Sequence, residues 1–284
     1  MGEVTAEALG WAESAVGQRV VGSRGLRQGG APWLLRFGDG AEAVLRGGDG
    51  FDTEVAALRL AEENGIPAPR LIAVGDGLML LSVVAGSSRI PVEPTTERLT
   101  ALGAAAAGVH AVELSPRKDL PLRHRPIELA DFDRWRERDG ASALLLDAVD
   151  AMAELPEPES ARVLVHGDLW QGNTMWVGGE LTSIVDWDCA GAGHHGVDLG
   201  SLRCDVELMF GVGAAEIVSA GWRERAGRPP ADVAYWDVVA ALATPPDLID
   251  WEPAIQDQGR VDLDGATLTA RRDAFLWAAL DRIS

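Results

Sequence analysis

The stretch VLVHGDLWQGNTMWVGGELTSIVDWD, residues 163–188, constrains this chain more than any other. Asp168 follows His166-Gly167, Asn173 stands five residues further on, and Asp186 comes thirteen after that, at the end of an apolar run. Residues 162–165, 175–177 and 181–185 have the β-branched and apolar character of short strands, and Gly178-Gly179 reads as the hairpin turn between the last two. A loop carboxylate, a loop amide and a strand-end carboxylate can then meet at one point. Such a set suits phosphoryl transfer. One carboxylate orients and deprotonates an acceptor hydroxyl, while the amide and the second carboxylate hold Mg²⁺ on nucleotide phosphates. The chain has two asparagines, and one of them occupies this place.

Composition narrows the alternatives. Of 284 residues 47% are hydrophobic and 24% charged, which excludes a disordered chain, a collagen-like fibre and a disulfide scaffold. The formal charge of −19 repels nucleic acid and anionic membranes and would attract a cationic ligand. Cys189 and Cys204 form neither a CxxC pair nor a zinc spacing, and are expected to be reduced thiols. No apolar run approaches the ~18 residues of a spanning helix. The N-terminus is acidic, unlike a signal peptide, and Ala6 stands where a myristoylation signal wants Ser or Thr. The expectation is a cytoplasmic protein with no nucleic-acid or membrane partner; its oligomeric state is not legible.

Residues 4–17 read as a helix, followed by strands at 19–26, 33–37 and 41–46 with a Gly-bearing turn, RQGGAP, after the first. A helix is expected over 51–64, where Val55, Leu58 and Ala61 recur at helical spacing. A hairpin follows, 71–74 and 78–84, around Gly75-Asp76-Gly77. After Ala85-Gly86-Ser87-Ser88 the character changes to an Ala-rich helix over 96–112, one or two helices within 132–155, and helices from His194 onward with breaks at Pro229-Pro230 and Pro245-Pro246. The AAAA at 104–107 reads as a close helix-packing face, and the basic segment 116–125 as a solvated loop. The expected fold is α+β in two lobes: an N-lobe over 1–84, antiparallel sheet plus one helix, and a mostly helical C-lobe over 85–284.

His166-Gly167-Asp168, Asn173 and then Val185-Asp186-Trp187 repeat the spacing of the protein-kinase signature, with Gly in place of Arg. The pattern resembles the aminoglycoside phosphotransferase family, a branch of the kinase-like fold. That resemblance implies a bilobal protein-kinase-like fold with the nucleotide held by the N-lobe and the acceptor by the C-lobe. It implies transfer of a phosphoryl group from ATP (or GTP), with Mg²⁺, to a hydroxyl of a small molecule such as an aminoglycoside or other amino-sugar. Asp168 is then the catalytic residue, and Asn173 and Asp186 are the metal ligands. The third strand ends in Arg46, and Glu54 lies eight residues on; this is similar to the family's "VLR…E…L" pattern, in which Arg replaces the usual Lys. Lys118, the chain's single lysine, lies in a C-lobe loop and cannot take that role. The resemblance also assigns Gly29 and Gly30 to the phosphate-covering turn, Ser82 and Val84 to the adenine-binding hinge, and Asp198 to bracing the catalytic loop.

The stretch HGDLWQGN also resembles the fructosamine kinases, although that family tends to carry Asp-Pro where this chain has Asp186-Trp187. Choline, homoserine or macrolide kinase activity fits the same fold. Trp236, Asp247, Asp250, Trp251, Glu252 and Asp257, in the third where the family shapes its acceptor pocket, would suit a cationic polyamine. Trp170, Trp176 and Trp187 read as packing, with one of them a candidate for the acceptor pocket. His194-His195 reads as a turn pair, since no third metal ligand stands at a recognised spacing. A catalytically silent nucleotide-binding module is the alternative of another class, motivated by the missing strand lysine.

Overall fold

The structure is a computed structural model that describes residues 4–27 and 30–283. Five antiparallel strands, β1 (Val20–Arg27), β2 (Gly30–Phe37), β3 (Glu42–Gly47), β4 (Leu71–Gly75) and β5 (Leu78–Ser82), form one sheet in the order β1-β2-β3-β5-β4. The β4–β5 hairpin closes on Asp76 and Gly77, both left-handed at φ 55° and 71°, the turn that matches strand twist. Strand alternation sorts the side chains of β3. Ala43 and Leu45 are buried with Leu35, Phe37 and Leu80 under α1 (Ala6–Val16), in a small core of their own. Val44 faces the opposite way, toward the main core and α2 (Asp52–Glu63), and Arg46 shares its parity. The pleat therefore sends Arg46 toward the helix that carries Glu54.

Helices dominate beyond the sheet: α3 (Thr96–Val109), α4 (Phe132–Asp139), α5 (Ala143–Ala153), α6 (Gly196–Phe210), α7 (Ala214–Ala226), α8 (Val233–Leu242), α9 (Glu252–Asp257) and α10 (Gly265–Ile283). None is long and apolar enough to cross a membrane. Helix α6 is the axis of this region, buried on all sides and packed on α7, α8 and α10. One main core runs from α2 and β5 through α3 and α6 to α10, so sheet and helices share a single apolar interior. Two small sheets interrupt the helices. One is the hairpin of β8 (Thr174–Val177) and β9 (Glu180–Ile184); the other orders β6 (Leu122–Arg123), β10 (Gly191–Gly193) and β7 (Val163–Val165).

Two elements differ from the sequence expectation. The basic segment 116–125 is no solvated loop throughout: Leu122 and Arg123 pair parallel to β10, and the buried Arg123 guanidinium donates to the carbonyl of Ala190 at 3.2 and 3.1 Å. Strand β10 itself, Gly-Ala-Gly, is a strand only because β6 and β7 flank it. The Ala-rich face of α3 does pack closely, against α7. A Cβ on Gly103 would sit 1.9 Å from the Val218 carbonyl oxygen, and one on Gly221 would sit 2.1 Å from that of Thr100. Both clashes are with backbone, which cannot step aside. Gly103→Ala is therefore expected to cost about 3 kcal/mol in urea unfolding. Gly108→Ala, on the same helix with open space around it, is expected to be neutral or to stabilise by up to about 1 kcal/mol.

Candidate active site

The loop between β7 and β8 is built on one buried carboxylate. Asp198, in the first turn of α6, accepts the backbone N–H of His166 at 2.7 Å and of Gly167 at 2.8 Å, one on each oxygen. His110 donates Nε2–H to the same carboxylate at 3.1 Å, and its Nδ1 accepts the indole N–H of Trp222 at 2.9 Å. Burial pushes the Asp198 carboxyl up, but the His110 bond and the backbone donors outweigh it and hold the group below the usual carboxylate range. Gly167 is left-handed at φ 81°, and a Cβ there would lie 2.1 Å from the Cys189 carbonyl oxygen, so the arginine of the kinase signature has no room. His166 donates Nε2–H to the Val185 carbonyl at 2.9 Å and accepts the Asp168 N–H on Nδ1 at 3.3 Å; burial keeps its ring neutral.

Asn173 closes the loop. Its Nδ2 donates to the Asp168 carbonyl at 2.9 Å and to Asp168 Oδ2 at 3.1 Å, and its own carbonyl accepts the Val185 N–H at 2.9 Å. The amide oxygen of Asn173 accepts no bond among the described residues. Asp168, Asn173 and the run into Asp186 are thus stitched together across β8 and β9. Burial raises the Asp168 carboxyl to about 7, with the charges of Asp186 and Asp188 adding to it and the Asn173 bond opposing.

Arg46 meets Glu54 at 2.5 Å and Asp186 Oδ1 at 3.1 Å. Glu54 is 2% exposed, and its Oε2 has no hydrogen-bond partner among the described residues. Burial raises Glu54 to about 7 against the pull of Arg46, and Asp186 and Asp188 raise it further. Arg46 thus bridges Glu54 and Asp186, while Asp186 and Asp188 act by charge on both Glu54 and Asp168. That gathering of carboxylates, the open Asn173 oxygen and the orphaned Glu54 oxygen fit a divalent cation. No three His, Cys, Asp or Glu side chains among the described residues form a metal cage. One carboxylate, one amide and phosphate oxygens suit Mg²⁺, which is seldom bound by all-protein cages.

The remaining sequence candidates separate. Gly29 lies outside the described residues; Gly30 opens β2, paired with Arg27. Ser82 does not have free hinge groups: its N–H donates to the Arg70 carbonyl and its hydroxyl accepts the Arg70 N–H, each at 2.9 Å, because β5 is still paired there. Val84 follows in the connector with no backbone hydrogen bond among the described residues. His194 and His195 are packing elements: their rings stack at 4.2 Å between Trp236 and Trp222, and burial pushes both pKa values down, His194 to about 4.

A cavity of about 260 Å³ opens beside Asp168. Its wall is mostly apolar and includes Phe132, Trp135, Trp170, Leu208, Met209 and Trp251; Asp168 and Asp205 supply its carboxylates. The acid–tryptophan set expected to form a polyamine pocket is dispersed instead. Only Trp251 lines the cavity; Trp236 is buried against His194, Glu252 accepts the Gly265 N–H, and Asp247, Asp250 and Asp257 point to solvent. The residue that sequence reasoning missed is Asp205. It lies seven residues after Asp198, two turns along the same buried helix, and its Oδ2 accepts the backbone N–H (3.3 Å) and side-chain amide (3.1 Å) of Gln171. Its Oδ1 has no partner among the described residues. Burial raises Asp205 to about 6. The seven-residue spacing from Asp198, which puts Asp205 on the same face of α6, was the available signal.

No related sequence is found among curated proteins. Solved structures share the fold over nearly the full length. A macrolide 2′-phosphotransferase from Brachybacterium faecium is 18% identical, with 97% of this chain and 98% of that one covered and a TM-score of 0.63. A fructosamine-3-kinase assigned in Thermobifida fusca is 20% identical, with 98% and 100% covered and a TM-score of 0.60. A spectinomycin phosphotransferase solved with ADP and spectinomycin is 13% identical, with 99% of each chain covered and a TM-score of 0.65. The phosphotransferase enzyme family matches residues 24–241, a span that contains Arg46, Glu54, the whole catalytic loop and Asp186. With most of its length matched and its kinase-like fold shared, this chain belongs to the phosphotransferase enzyme family and is a small-molecule phosphotransferase.

Proposed function

We propose that the enzyme transfers the γ-phosphoryl group of ATP (or GTP) to a hydroxyl of a small molecule that has a broad apolar face and one protonated amine. The observation that carries this reading is the position of Asp168: one carboxylate is bonded to Asn173 and also lines the apolar cavity. A hydroxyl seated in the cavity would reach Asp168, which would orient it and take its proton. Asn173 Oδ1 and Asp186 would hold Mg²⁺, which when bound neutralises charge on the phosphates. Arg46, positioned by Glu54, would leave Asp186 to bind phosphate oxygens, under the Gly29–Gly30 turn. The base would bond at the connector near Val84. Fixed geometry and charge neutralisation supply most of the acceleration, since this reaction asks for little covalent help.

The wall of the cavity supports an apolar acceptor over a polyamine, because a polycation would leave charges facing tryptophan, leucine and methionine without partners. Asp205 offers one carboxylate oxygen to one amine. A carboxyl held near 6 is mostly ionised at neutral pH, so its attraction for a cation grows as pH rises through that value.

Four outcomes are expected. In an assay of Mg²⁺-dependent ADP formation with a macrolide, spectinomycin and gentamicin as acceptors, the acceptor with the largest apolar face is turned over best. No turnover with any hydroxylated amine would favour a silent module. Asp168→Asn lowers kcat about 10³-fold while nucleotide affinity, read by titration calorimetry, stays within about threefold. The KM for the amine acceptor falls as pH rises through about 6 in the native enzyme, and Asp205→Asn removes that dependence. The same carboxyl, held above its unfolded value, withdraws stability as it ionises. The native protein should lose unfolding free energy between about pH 4 and pH 6 relative to Asp205→Asn, by about 3 kcal/mol in urea titrations.

A further inference from the structure

The turn between β6 and α4 is closed on itself and pressed against the catalytic loop. Glu128 accepts the N–H groups of His124 (3.0 Å) and Arg125 (3.1 Å), the Arg125 guanidinium donates to the Ala130 carbonyl at 2.9 Å, and the Ala130 N–H donates to the Ile127 carbonyl at 2.8 Å. At its centre Ile127 has φ 49°. A β-branched residue in the left-handed region is a true outlier, because its branched Cβ crowds the backbone where glycine or asparagine would sit without penalty. Such conformations persist where the surrounding structure over-determines them, and they gather at ligand clamps. One contact holds this one to the neighbouring loop, and its side chain faces open space. The Ile127 N–H donates to the Gly167 carbonyl at 2.7 Å, the peptide group that leads directly into Asp168. The Ile127 side chain lines the cavity that Asp168 also lines.

We propose that Ile127 selects the acceptor: its backbone holds the Gly167 carbonyl while Asp198 holds the Gly167 N–H, and its side chain is the apolar wall against which the acceptor is seated. The inference rests on the reading of the cavity as the acceptor site. A glycine at this position would keep the N–H bond and ease the backbone, so a side chain kept here only for folding would be better replaced. A strained isoleucine whose residue lines the cavity points instead to what its four side-chain carbons would touch there. The ligand it would take is an amphiphilic amine that turns an apolar face to Ile127 and its cationic group to Asp205.

The experiment uses dansylcadaverine, a fluorescent apolar amine, titrated into the full-length protein, with melting temperature measured in parallel. Ile127→Gly is expected to raise its Kd about tenfold without lowering the melting temperature. Ile127→Val is expected to recover most of the affinity, and Leu129→Gly, an exposed position on the same turn that does not line the cavity, to bind as the native protein does. If the probe binds, weakens on Asp205→Asn, and yet binds equally to native protein and Ile127→Gly, the role of Ile127 is overturned while the cavity reading stands. If the probe does not bind, or ignores Asp205→Asn, the cavity reading falls and takes this inference with it. Should Ile127→Gly melt lower, Ile127→Asn, which also tolerates φ 49°, decides: unchanged affinity in that folded variant overturns the proposal.

Discussion

A single buried carboxylate organises the loop that carries Asp168. Asp198 takes two consecutive backbone N–H groups on its two oxygens and a third bond from His110, itself held by Trp222 from α7. An ionised group in so apolar a place survives only because those donors outnumber what burial costs. The result is that His166, Gly167 and Asp168 are anchored to the most buried helix of the protein. Two turns along, Asp205 holds Gln171 in the same manner. The loop is therefore tied to α6 at both ends, and loop and helix together line the cavity. Fixing the loop and shaping the cavity are the work of one helix.

The second dependency crosses from the sheet. The pleat of β3 turns Arg46 away from the small core and toward α2, where Glu54 waits inside an apolar shell. The same guanidinium reaches Asp186, at the end of β9. Arg46 bridges two carboxylates, and burial, with the charges of Asp186 and Asp188 adding to it, raises both Asp168 and Glu54 to about 7. Under the proposed reading, nucleotide phosphates and a divalent cation would redistribute those charges, freeing Asp186 from Arg46. An arginine in place of the usual lysine fits that exchange, since its fork offers donors to two partners at once.

How much of this could be read from the sequence varies with the range of the interactions. Both tight hairpins were legible because their turns are local chemistry: Asp76-Gly77 and Gly178-Gly179 take left-handed conformations that few other pairs accept. The family was legible in residues 163–188 because the phosphotransferase pattern fixes residue type and spacing together, and the Arg46–Glu54 pair because strand parity and helical spacing converge. The β6–β10 pairing was not, since Gly191-Ala192-Gly193 has no strand character until two distant segments flank it. The cavity was not, since its wall is collected from the β6–α4 turn and from α4, α6, α8 and α9, with no contiguous signal. Acids and tryptophans near the C-terminus suggested a pocket that the packing does not form. Ile127 was invisible, because nothing in Pro-Ile-Glu announces a left-handed backbone.

Under the proposed reading, Asp168, Asn173 and Asp186 work around one cation between the sheet and the helices. A crystal structure with Mg²⁺ and a non-hydrolysable ATP analogue would decide this. Density for the cation is expected within about 2.1 Å of Asn173 Oδ1 and an Asp186 oxygen, with Arg46 moved from Asp186 to the phosphates. A nucleotide bound elsewhere, or bound with the Arg46–Asp186 pair intact and Asn173 turned away from the cation, would contradict it.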